Sequence, residues 1–448
     1  MYGKLYRHVL MPLYEGGIRR RRTLRYWADA QSSQWWAREK LEAKQLESLK
    51  RLLRHAYDTC PFYSEQWRAN DLNPETISSL EDFTRWPLVS REEVRAQRAS
   101  IGSSAPEESI EKSTGGSTGE QVTFDVSRDS LERRTAMTYR GYGFAGGAPG
   151  SRQLHIWVHP LDRLSRRHRW KRTAHIRIQN QLFMDCLTFS PDRMREHFRV
   201  MNRYRPEVIV AYTNPIYEFA RYLDEHKLKP FSPRSIIVGA EKLHDFQREM
   251  IETVFGAPVF ETYGSREFML IGAECEHHGG LHLSMENLLV EVVNDDGRPT
   301  PPGEEGNVVV TDLYNYAMPF VRYMIGDRAI AGWEMCPCRR GLPLLKKVVG
   351  RRLDTLRTPD GRILSGELFP VLINNFPSVR RFQVVQTTVE RIEVRLVLDG
   401  AFGDTEQAIL LADIHERVGM EVEVDLKVVD EIPLTSAGKR RVVVRSGC

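Results

Sequence analysis

Long uninterrupted apolar runs are missing from this sequence. Stretches such as Leu288-Leu289-Val290 meet a charged residue within a few positions, far short of the roughly 20 residues that a membrane-spanning helix needs. The amino terminus has a weak apolar stretch and no small-residue cleavage site, so it does not read as a signal peptide. We therefore expect a globular protein of the cytoplasm with no transmembrane segment.

The sequence also lacks a strong excess of one charge, because its net charge is +4 over 448 residues. We therefore do not expect a nucleic-acid partner. Two basic runs stand out: residues 19–22 and the run SRRHRWKRTAHIR, which begins at Ser165. Such runs are usually solvated surfaces. The alternative is contact with an acidic partner, namely a membrane surface, a carrier protein or a phosphorylated cofactor.

Cysteine is scarce, and the six cysteines are too scattered to form a disulfide framework. Cys275 and His278 have the spacing C-x2-H, and Cys336 and Cys338 have the spacing C-x-C. Three thiolates and one imidazole form a closed tetrahedral set typical of structural Zn²⁺. His277 and His282 compete with His278 for the fourth position. The alternative is a group of buried cysteines without a metal.

The pattern of apolar residues predicts an α/β protein with mainly parallel strands in its middle part. There, apolar β-rich runs alternate with amphipathic helical stretches. After Met285, alternating runs joined by turn residues predict an antiparallel β subdomain. The predicted domains are an N-terminal helical segment at 1–60 that packs on the main domain, a large domain at 61–350 with the β subdomain near 285–345, and a small C-terminal α+β domain at 351–448.

Short polar segments stand at predicted strand ends or turns, where α/β folds place ligands. They are residues 113–119, 238–243 (VGAEKL), 261–267 (ETYGSRE), 321–330 (VRYMIGDRAI), 348–354 (VVGRRLD) and 434–441 (LTSAGKRR). The first packs three glycines and four hydroxyls into one loop, which lets backbone N–H groups approach a phosphate. It is not a Walker motif, because strand-like residues follow Gly119. The alternative is an ordinary hairpin turn.

The ordered set of segments resembles the adenylate-forming superfamily of acyl-CoA synthetases and adenylation domains. The forms STGGSTGE and YGSRE resemble its phenylacetate-CoA ligase and CapK-like branch. The resemblance covers roughly residues 61–441 and implies a large ATP-binding domain with a small mobile C-terminal domain. It also implies two half-reactions. ATP and a carboxylic acid give an acyl-adenylate and pyrophosphate, and a thiol then displaces AMP.

The resemblance implies a role for individual residues. Glu267 would hold Mg²⁺, Tyr263 would lie against the adenine, and Lys439 would be the catalytic lysine between the carboxylate and the α-phosphate. Asp327 and Arg351 would bind the ribose. The other nucleotide-binding positions would be Ser113, Thr114, Gly115, Gly116, Ser117, Thr118 and Gly119 at the β- and γ-phosphates, Gly239, Ala240 and Glu241 along the nucleotide or acyl pocket, and Gly264, Ser265 and Arg266 beside Glu267.

The sequence departs from the family pattern at three places. Arg266 stands where many members carry threonine, and the lysine often found just past the phosphate loop is absent. Leu353 occupies the hinge position where many relatives have an acidic residue, so Asp354 is the alternative hinge.

The function expected from these residues is ATP-dependent ligation of a small carboxylic acid, aromatic or otherwise, to CoA. An alternative acceptor is a carrier protein, an amine or a sugar, in capsule or secondary-metabolite biosynthesis. A third reading is a non-catalytic nucleotide-binding scaffold, against which Glu267, Asp327 and Lys439 argue.

Overall fold

A computed structural model describes residues 2–105, 108–114, 122–157, 166–185, 191–332, 335–351, 355–359, 363–365, 368–373, 375–433 and 442–445. The chain forms two compact units. The first draws its described residues from Met1–Thr114, Val122–Ile325 and Ala329–Val348, and the second from Gly326–Arg328 and Val349–Cys448.

The helices in chain order are α1 Tyr2–Leu5, α2 Thr23–Ser33, α3 Arg38–Thr59, α4 Pro61–Ala69, α5 Leu80–Phe83, α6 Arg91–Ala96, α7 Arg98–Ile101, α8 Arg128–Phe144, α9 Arg166–Ile178, α10 Pro191–Tyr204, α11 Thr213–Glu225, α12 Asp245–Phe255, α13 Leu368–Ile373 and α14 Asp404–Val418. Two π-helical segments, Tyr6–Leu10 and Leu13–Ile18, and a 3-10 turn, Pro74–Thr76, complete this set. None of the helices in the described part of the chain combines the length and apolar character that crossing a bilayer requires.

The strands in chain order are β1 Ser109–Ser113, β2 Thr123–Ser127, β3 Gln153–Trp157, β4 Gln181–Asp185, β5 Val208–Tyr212, β6 Ser235–Gly239, β7 Val259–Ser265, β8 Met269–Glu274, β9 Leu281–Leu283, β10 Leu288–Val293, β11 Glu305–Asp312, β12 Tyr323–Ala331, β13 Leu344–Arg351, β14 Thr355–Arg357, β15 Ile363–Ser365, β16 Val379–Thr388, β17 Arg391–Leu398, β18 Glu423–Val428 and β19 Val443–Arg445.

The long helix α3 follows from its leucine spacing. Leu41, Leu49, Leu52 and Leu53 recur on one face and are at most 2% exposed, while the opposite face is charged. No glycine or proline interrupts the segment before Pro61, so the helix runs to Thr59. Its apolar face joins the main core of the first unit.

The middle of the first unit is a parallel sheet, as the alternating pattern predicts. Strands β4, β3, β5, β6 and β7 lie side by side and pair in parallel. Every residue of β5 and β6 is buried, which is characteristic of strands covered by helices on both faces. The carboxyl ends of these strands meet at one edge, where Gly239 and Ser265 end β6 and β7.

The antiparallel strands after residue 285 extend this same sheet. The strand order is β10-β11-β12-β13-β9-β8-β7-β6-β5-β3-β4, and β7 pairs with β8 in the antiparallel direction. The predicted β region is therefore continuous with the parallel strands through β7 and β8. Sequence pattern cannot show this, because it does not reveal which strand edges pair.

The second unit has its own sheet, of order β18-β17-β16-β19. Strands β16 and β17 form an antiparallel hairpin, and β18 and β19 add in parallel on its two sides. Residues of α13 and α14, among them Phe369 and Leu410, pack in its core. The predicted fold class, an α/β protein with a small C-terminal α+β module, is confirmed.

Buried ion pairs tie helix α8 to the sheet of the first unit. Arg134 Nη2 lies 2.5 Å from Asp312 Oδ2, and neither side chain is exposed. Asp312 also accepts hydrogen bonds from Ser130 Oγ at 3.2 Å and from the Tyr314 N–H at 3.1 Å. A second arginine of α8, Arg140, pairs with Glu286. Removal of one partner from such a pair strongly destabilises the protein, because the other charge stays buried without a counterion.

We expect Asp312→Asn to lower the free energy of unfolding of the first unit by about 3 kcal/mol or more, because the Arg134 guanidinium loses its counterion. Urea denaturation measures this loss. The control is Glu47→Gln in the exposed Arg51–Glu47 pair, which should cost no more than about 0.5 kcal/mol. Equal effects of the two changes would contradict the structural role of the buried pair.

Candidate nucleotide site and cysteine cluster

The hydroxyl-rich loop is the connection of a β-hairpin. Strands β1 and β2 pair in antiparallel register, with Ser113 opposite Thr123. The Thr114 N–H donates to the Val122 carbonyl at 2.9 Å, and Thr114 Oγ1 accepts from the Val122 N–H at 2.9 Å. Ser113 and Thr114 thus stand at the base of the loop. Gly115, Gly116, Ser117, Thr118 and Gly119 lie outside the described residues.

The turn between β7 and β8 carries the second predicted phosphate-site segment. A β-bulge falls between Tyr263 and Gly264. A side chain at Gly264 would place its Cβ 2.2 Å from the carbonyl oxygen of Met269, so only glycine fits this close approach. Ser265 Oγ accepts from the Phe268 N–H at 3.2 Å and closes the turn. Arg266 is exposed at its tip, whereas Glu267 is only 3% exposed.

Arg91 and Tyr323 connect this turn with the loop base. Arg91 Nη2 donates to Thr114 Oγ1 at 2.7 Å, and the Tyr323 hydroxyl contacts Glu267 Oε1 at 3.5 Å. Burial raises the pKa of Tyr323, and the Glu267 carboxylate adds to the rise while the Arg91 guanidinium opposes it. The structure therefore gathers Thr114, Glu267, Arg91 and Tyr323 in one region of the first unit.

The segment after β6 lies beside β7, as two neighbouring parallel strands require. A Cβ at Gly239 would lie 2.5 Å from Thr262 Oγ1, and Ala240 has a positive φ of 68°, a conformation that is strained for a residue with a side chain. Glu241 Oε2 accepts from the Asn214 N–H at 2.9 Å. This places a carboxylate at the N-terminus of α11, where the helix dipole stabilises it.

Two other predicted site residues, Asp327 and Arg351, belong to the second unit. Asp327 lies on β12 and is grouped with the second unit. Arg351 ends β13, and its side chain is not among those described. Lys439 and both hinge candidates, Leu353 and Asp354, lie outside the described residues. Their roles stay predictions.

The four residues of the cysteine cluster are Cys275, His282, Cys336 and Cys338, whose ligand atoms all lie within 4.8 Å of one another. The Cys275 and Cys336 sulfurs are 3.5 Å apart, and Cys338 Sγ lies 3.3 Å from His282 Nε2. Cys275, His282 and Cys336 are buried and Cys338 is partly buried.

His282, one of the two alternative histidines, belongs to this cluster, and His278 does not. Its Nδ1 instead lies 3.3 Å from Glu274 Oε2, and its ring packs on Phe260. The C-x2-H spacing favours His278 along the chain, but β9 returns antiparallel to β8 and sets His282 opposite Ala273. Strand pairing, not chain spacing, therefore brings His282 next to Cys275.

Three residues of these two sites carried no decisive sequence signal. Arg91 and Tyr323 join the nucleotide site only through long-range packing. His282 lies between two leucines in a short strand, LHL, and this pattern is typical of a histidine that packs in the core. The feature that could have identified His282 is the turn between β8 and β9. An antiparallel return of the chain at this turn places His282 opposite the residues just before Cys275.

A second group of charges surrounds Glu261, in the same segment as Tyr263. Its backbone N–H donates to Glu274 Oε2 at 2.7 Å. Arg248 Nη2 donates to both carboxylate oxygens of Glu274, Oε1 at 2.9 Å and Oε2 at 3.0 Å. Burial, with the nearby Glu274 charge, raises the pKa of Glu261 from 4.5 to about 7. Glu261 and Lys242 line a cavity of about 450 Å³.

We expect the first unit to lose stability as the pH rises from 4.5 through about 7, because the folded state holds the Glu261 proton more tightly than the unfolded state. The stabilisation is complete below 4.5 and is lost above the folded pKa. Glu261→Gln should remove about 1 to 3 kcal/mol of this pH dependence. Urea denaturation at a series of pH values measures it.

The matched control is Glu196→Gln, because Glu196 is an exposed residue of α10 that pairs with Arg193 at 3.2 Å. This variant should keep the wild-type slope of stability against pH. If Glu261→Gln keeps that slope as well, the proton assigned to Glu261 is not held there.

Comparison with known proteins finds similarity to phenylacetate-CoA ligases and to CapK. Residues 356–446 match the family model of the CapK C-terminal domain. The phenylacetate-coenzyme A ligase of Thermus thermophilus is 25% identical over 443 residues, which cover 91% of this chain and 97% of the relative. Protein CapK of Staphylococcus aureus is 24% identical, over 86% of this chain and 85% of the relative.

Among solved structures, 2-hydroxyisobutyryl-CoA ligase in its postadenylation state shares the fold. The TM-score is 0.74 at 19% identity, over 92% of this chain and 91% of that one. The sequence matches extend along most of the chain. This chain is therefore similar to phenylacetate-CoA ligases and to CapK along most of its length, and it has the fold of 2-hydroxyisobutyryl-CoA ligase.

Proposed function

We propose that this protein is an AMP-forming ligase that activates a carboxylic acid with ATP and then transfers the acyl group to the thiol of CoA. The observation that carries the proposal is a pair of contacts on neighbouring segments: Arg91 donates to Thr114 at the loop base, and Tyr323, which is bridged to Val89 two residues before Arg91, contacts the buried carboxylate of Glu267. The relatives named phenylacetate-coenzyme A ligase support the same reaction class.

In the first half-reaction an oxygen of the substrate carboxylate attacks the α-phosphorus of ATP. The bond to the bridging oxygen breaks, its electron pair leaves with pyrophosphate, and an acyl-adenylate remains. Both reactants are anions, so the enzyme must position them and place cations where charge develops. At the base of the loop and in the β7–β8 turn, the Thr114 hydroxyl and the guanidiniums of Arg91 and Arg266 are available for this purpose.

Glu267 suits the proposed role of a Mg²⁺ ligand. It is a carboxylate only 3% exposed, and its described hydrogen bond, to Tyr323, is long at 3.5 Å. A buried carboxylate needs a counter-charge, and a hard cation that binds oxygen ligands and phosphates would supply one. When bound, Mg²⁺ would neutralise charge on the phosphates.

In the second half-reaction the sulfur of CoA attacks the acyl carbon and AMP leaves. The likeness to CapK and to its C-terminal domain favours testing a second acceptor class, a carrier-protein thiol, an amine or a sugar. Incubation of enzyme, ATP and acid with and without CoA separates these cases, since an acyl-CoA product forms only with CoA as the acceptor. Persistence of acyl-adenylate with CoA present would favour the second acceptor class.

We expect Lys439→Ala to lower acid-dependent exchange of labelled pyrophosphate into ATP by at least about a hundredfold, because a preorganised charge at the reacting phosphate is lost. The variant should still bind ATP, as measured by calorimetry. A panel of aromatic and aliphatic acids identifies the substrate in the wild type.

Lys229→Ala, at an exposed position of the first unit, serves as the control and should exchange pyrophosphate as the wild type does. Unchanged exchange in Lys439→Ala would show that the lysine has no catalytic role. Absence of exchange in the wild type with every acid would end the adenylation proposal.

We further propose that Cys275, His282, Cys336 and Cys338 hold a structural Zn²⁺ ion. Three thiols and an imidazole with ligand atoms within 4.8 Å form the closed donor set that Zn²⁺ prefers. The ion would join the end of β8, strand β9 and the segment before β13.

We expect wild-type protein to carry about one zinc ion per chain and His282→Ala to lose most of it, because the tetrahedral set loses a ligand. Elemental analysis of the purified proteins measures the metal. His278→Ala is the matched control, since His278 contacts Glu274 rather than the cysteines, and it should retain its zinc. A wild type free of zinc after growth with zinc, or loss confined to His278→Ala, would overturn the assignment.

A further inference from the structure

Exposed apolar side chains are concentrated in two neighbouring segments of the first unit. Seven of the fourteen large apolar side chains that are exposed in the described part of the chain belong to residues 2–18 or to helix α9. These seven side chains are 40% to 74% exposed, and they are Tyr2, Leu5, Val9, Leu13, Ile18, Trp170 and Ile178. Exposed apolar groups that lie together mark a surface that contacts a partner or a membrane.

Four of these side chains form a row along the first helical segment. They are Leu5, Val9, Leu13 and Ile18. Residues 2–18 are helical throughout, with π-helical turns after α1. The intervals of four, four and five residues place the row on one side of a helix whose hydrogen bonds join residues five apart. The buried side chains of the segment, Tyr6, Met11 and Glu15, occupy a different side.

Direct contacts hold this segment beside helix α9. The Tyr2 hydroxyl donates to the Ile178 carbonyl at 2.6 Å, and the ring centroids of Tyr14 and His175 are 5.1 Å apart. Trp170, on the same helix α9, is among the most exposed of the seven side chains. The exposed residues of 2–25 and of α9 are called the basic apolar surface below.

The charge of the basic apolar surface has one sign. Residues 2–25 contain seven lysines and arginines and one carboxylate, Glu15, while α9 contains six lysines and arginines and no carboxylate. Glu15 is buried and pairs with Arg21 at 3.4 Å. Glu132 of α8, which accepts from the Arg22 N–H at 2.6 Å, is also buried. Residues 2–25 therefore present cations, and no carboxylate of their own, to the solvent.

We propose that the basic apolar surface binds peripherally to a membrane that contains anionic phospholipids. A helix with an exposed apolar side and neighbouring cations is typical of segments that lie in the membrane interface. The apolar row would enter the boundary of the acyl chains, and the lysines and arginines would meet the lipid phosphates. A tryptophan such as Trp170 is favoured at the same depth.

A second copy of this chain fits the surface less well than a membrane does. A symmetric dimer sets the same surface of both copies face to face. Two sets of cations would then meet without carboxylates between them, and like charges repel. A membrane with anionic lipids instead supplies an apolar layer and negative charge together.

Co-sedimentation of the full chain with lipid vesicles tests the proposal. Vesicles of phosphatidylcholine mixed with an equal amount of phosphatidylglycerol should bind the protein at least about tenfold more tightly than vesicles of phosphatidylcholine alone, because each cation near an anionic surface adds to the attraction. A higher salt concentration should weaken this binding, since it screens exposed charges. The measurement needs neither ATP nor an acid, so it is independent of the proposed ligase reaction.

A first double variant tests the apolar row. Leu13→Ser with Ile18→Ser should bind the anionic vesicles about tenfold more weakly or less, since two apolar side chains no longer enter the membrane. The matched control is Ile409→Ser with Met420→Ser, which replaces two exposed apolar side chains of the second unit and should bind as the wild type does.

A second double variant tests the charge. Lys4 and Arg20 are exposed and lie near the two ends of the apolar row. Lys4→Gln with Arg20→Gln should weaken binding to the anionic vesicles about tenfold and leave binding to phosphatidylcholine unchanged. Lys227→Gln with Lys229→Gln removes the same charge at other exposed positions of the first unit and should not change either affinity.

Thermal unfolding of all four variants should match the wild type, because every replaced side chain is exposed, so that a loss of vesicle binding does not reflect a loss of fold. No binding to the anionic vesicles, equal binding to both vesicle compositions, or wild-type binding by the Leu13 and Ile18 double variant would overturn the proposal. A dimer in sedimentation velocity that this double variant abolishes would also overturn it and assign the surface to a second copy.

Discussion

The turn between β7 and β8 is the constraint on which both sites of the first unit depend. Strand β7 is parallel to β6 on one side and antiparallel to β8 on the other, so the sheet changes direction there. The close approach of Gly264 to the Met269 carbonyl fixes the turn. As a result Glu267 is buried against Tyr323 while Arg266 stays exposed, and β8 leads directly to Cys275.

The cationic side chains of the first unit differ in whether a carboxylate lies beside them. Arg134 and Arg140 of helix α8 each have a carboxylate partner within the fold, so they serve the packing of the helix on the sheet. Lys112 has two guanidiniums as electrostatic neighbours and no carboxylate.

Elements with strong periodicity were predictable from the sequence. The leucine spacing of α3 indicates a helix and the apolar runs of β5 and β6 indicate buried strands, and the structure has these elements. The sequence pattern correctly predicts antiparallel strands after residue 285. It does not show that these strands continue the parallel sheet through β7 and β8. For the same reason the sequence leaves His277, His278 and His282 open as cluster residues, because spacing along a chain does not show which strands pair.

The sequence by itself determined the local conformations, the order of the polar segments and the kinds of ligand atoms available. These depend on residues close together in the chain, where side-chain period and turn chemistry act directly. Only the tertiary structure decided that Arg91 meets Thr114, that Tyr323 meets Glu267 and that His282 meets Cys338. Such contacts join residues far apart in the chain, and they arise because strand pairing and core packing select one arrangement among many that the local pattern allows.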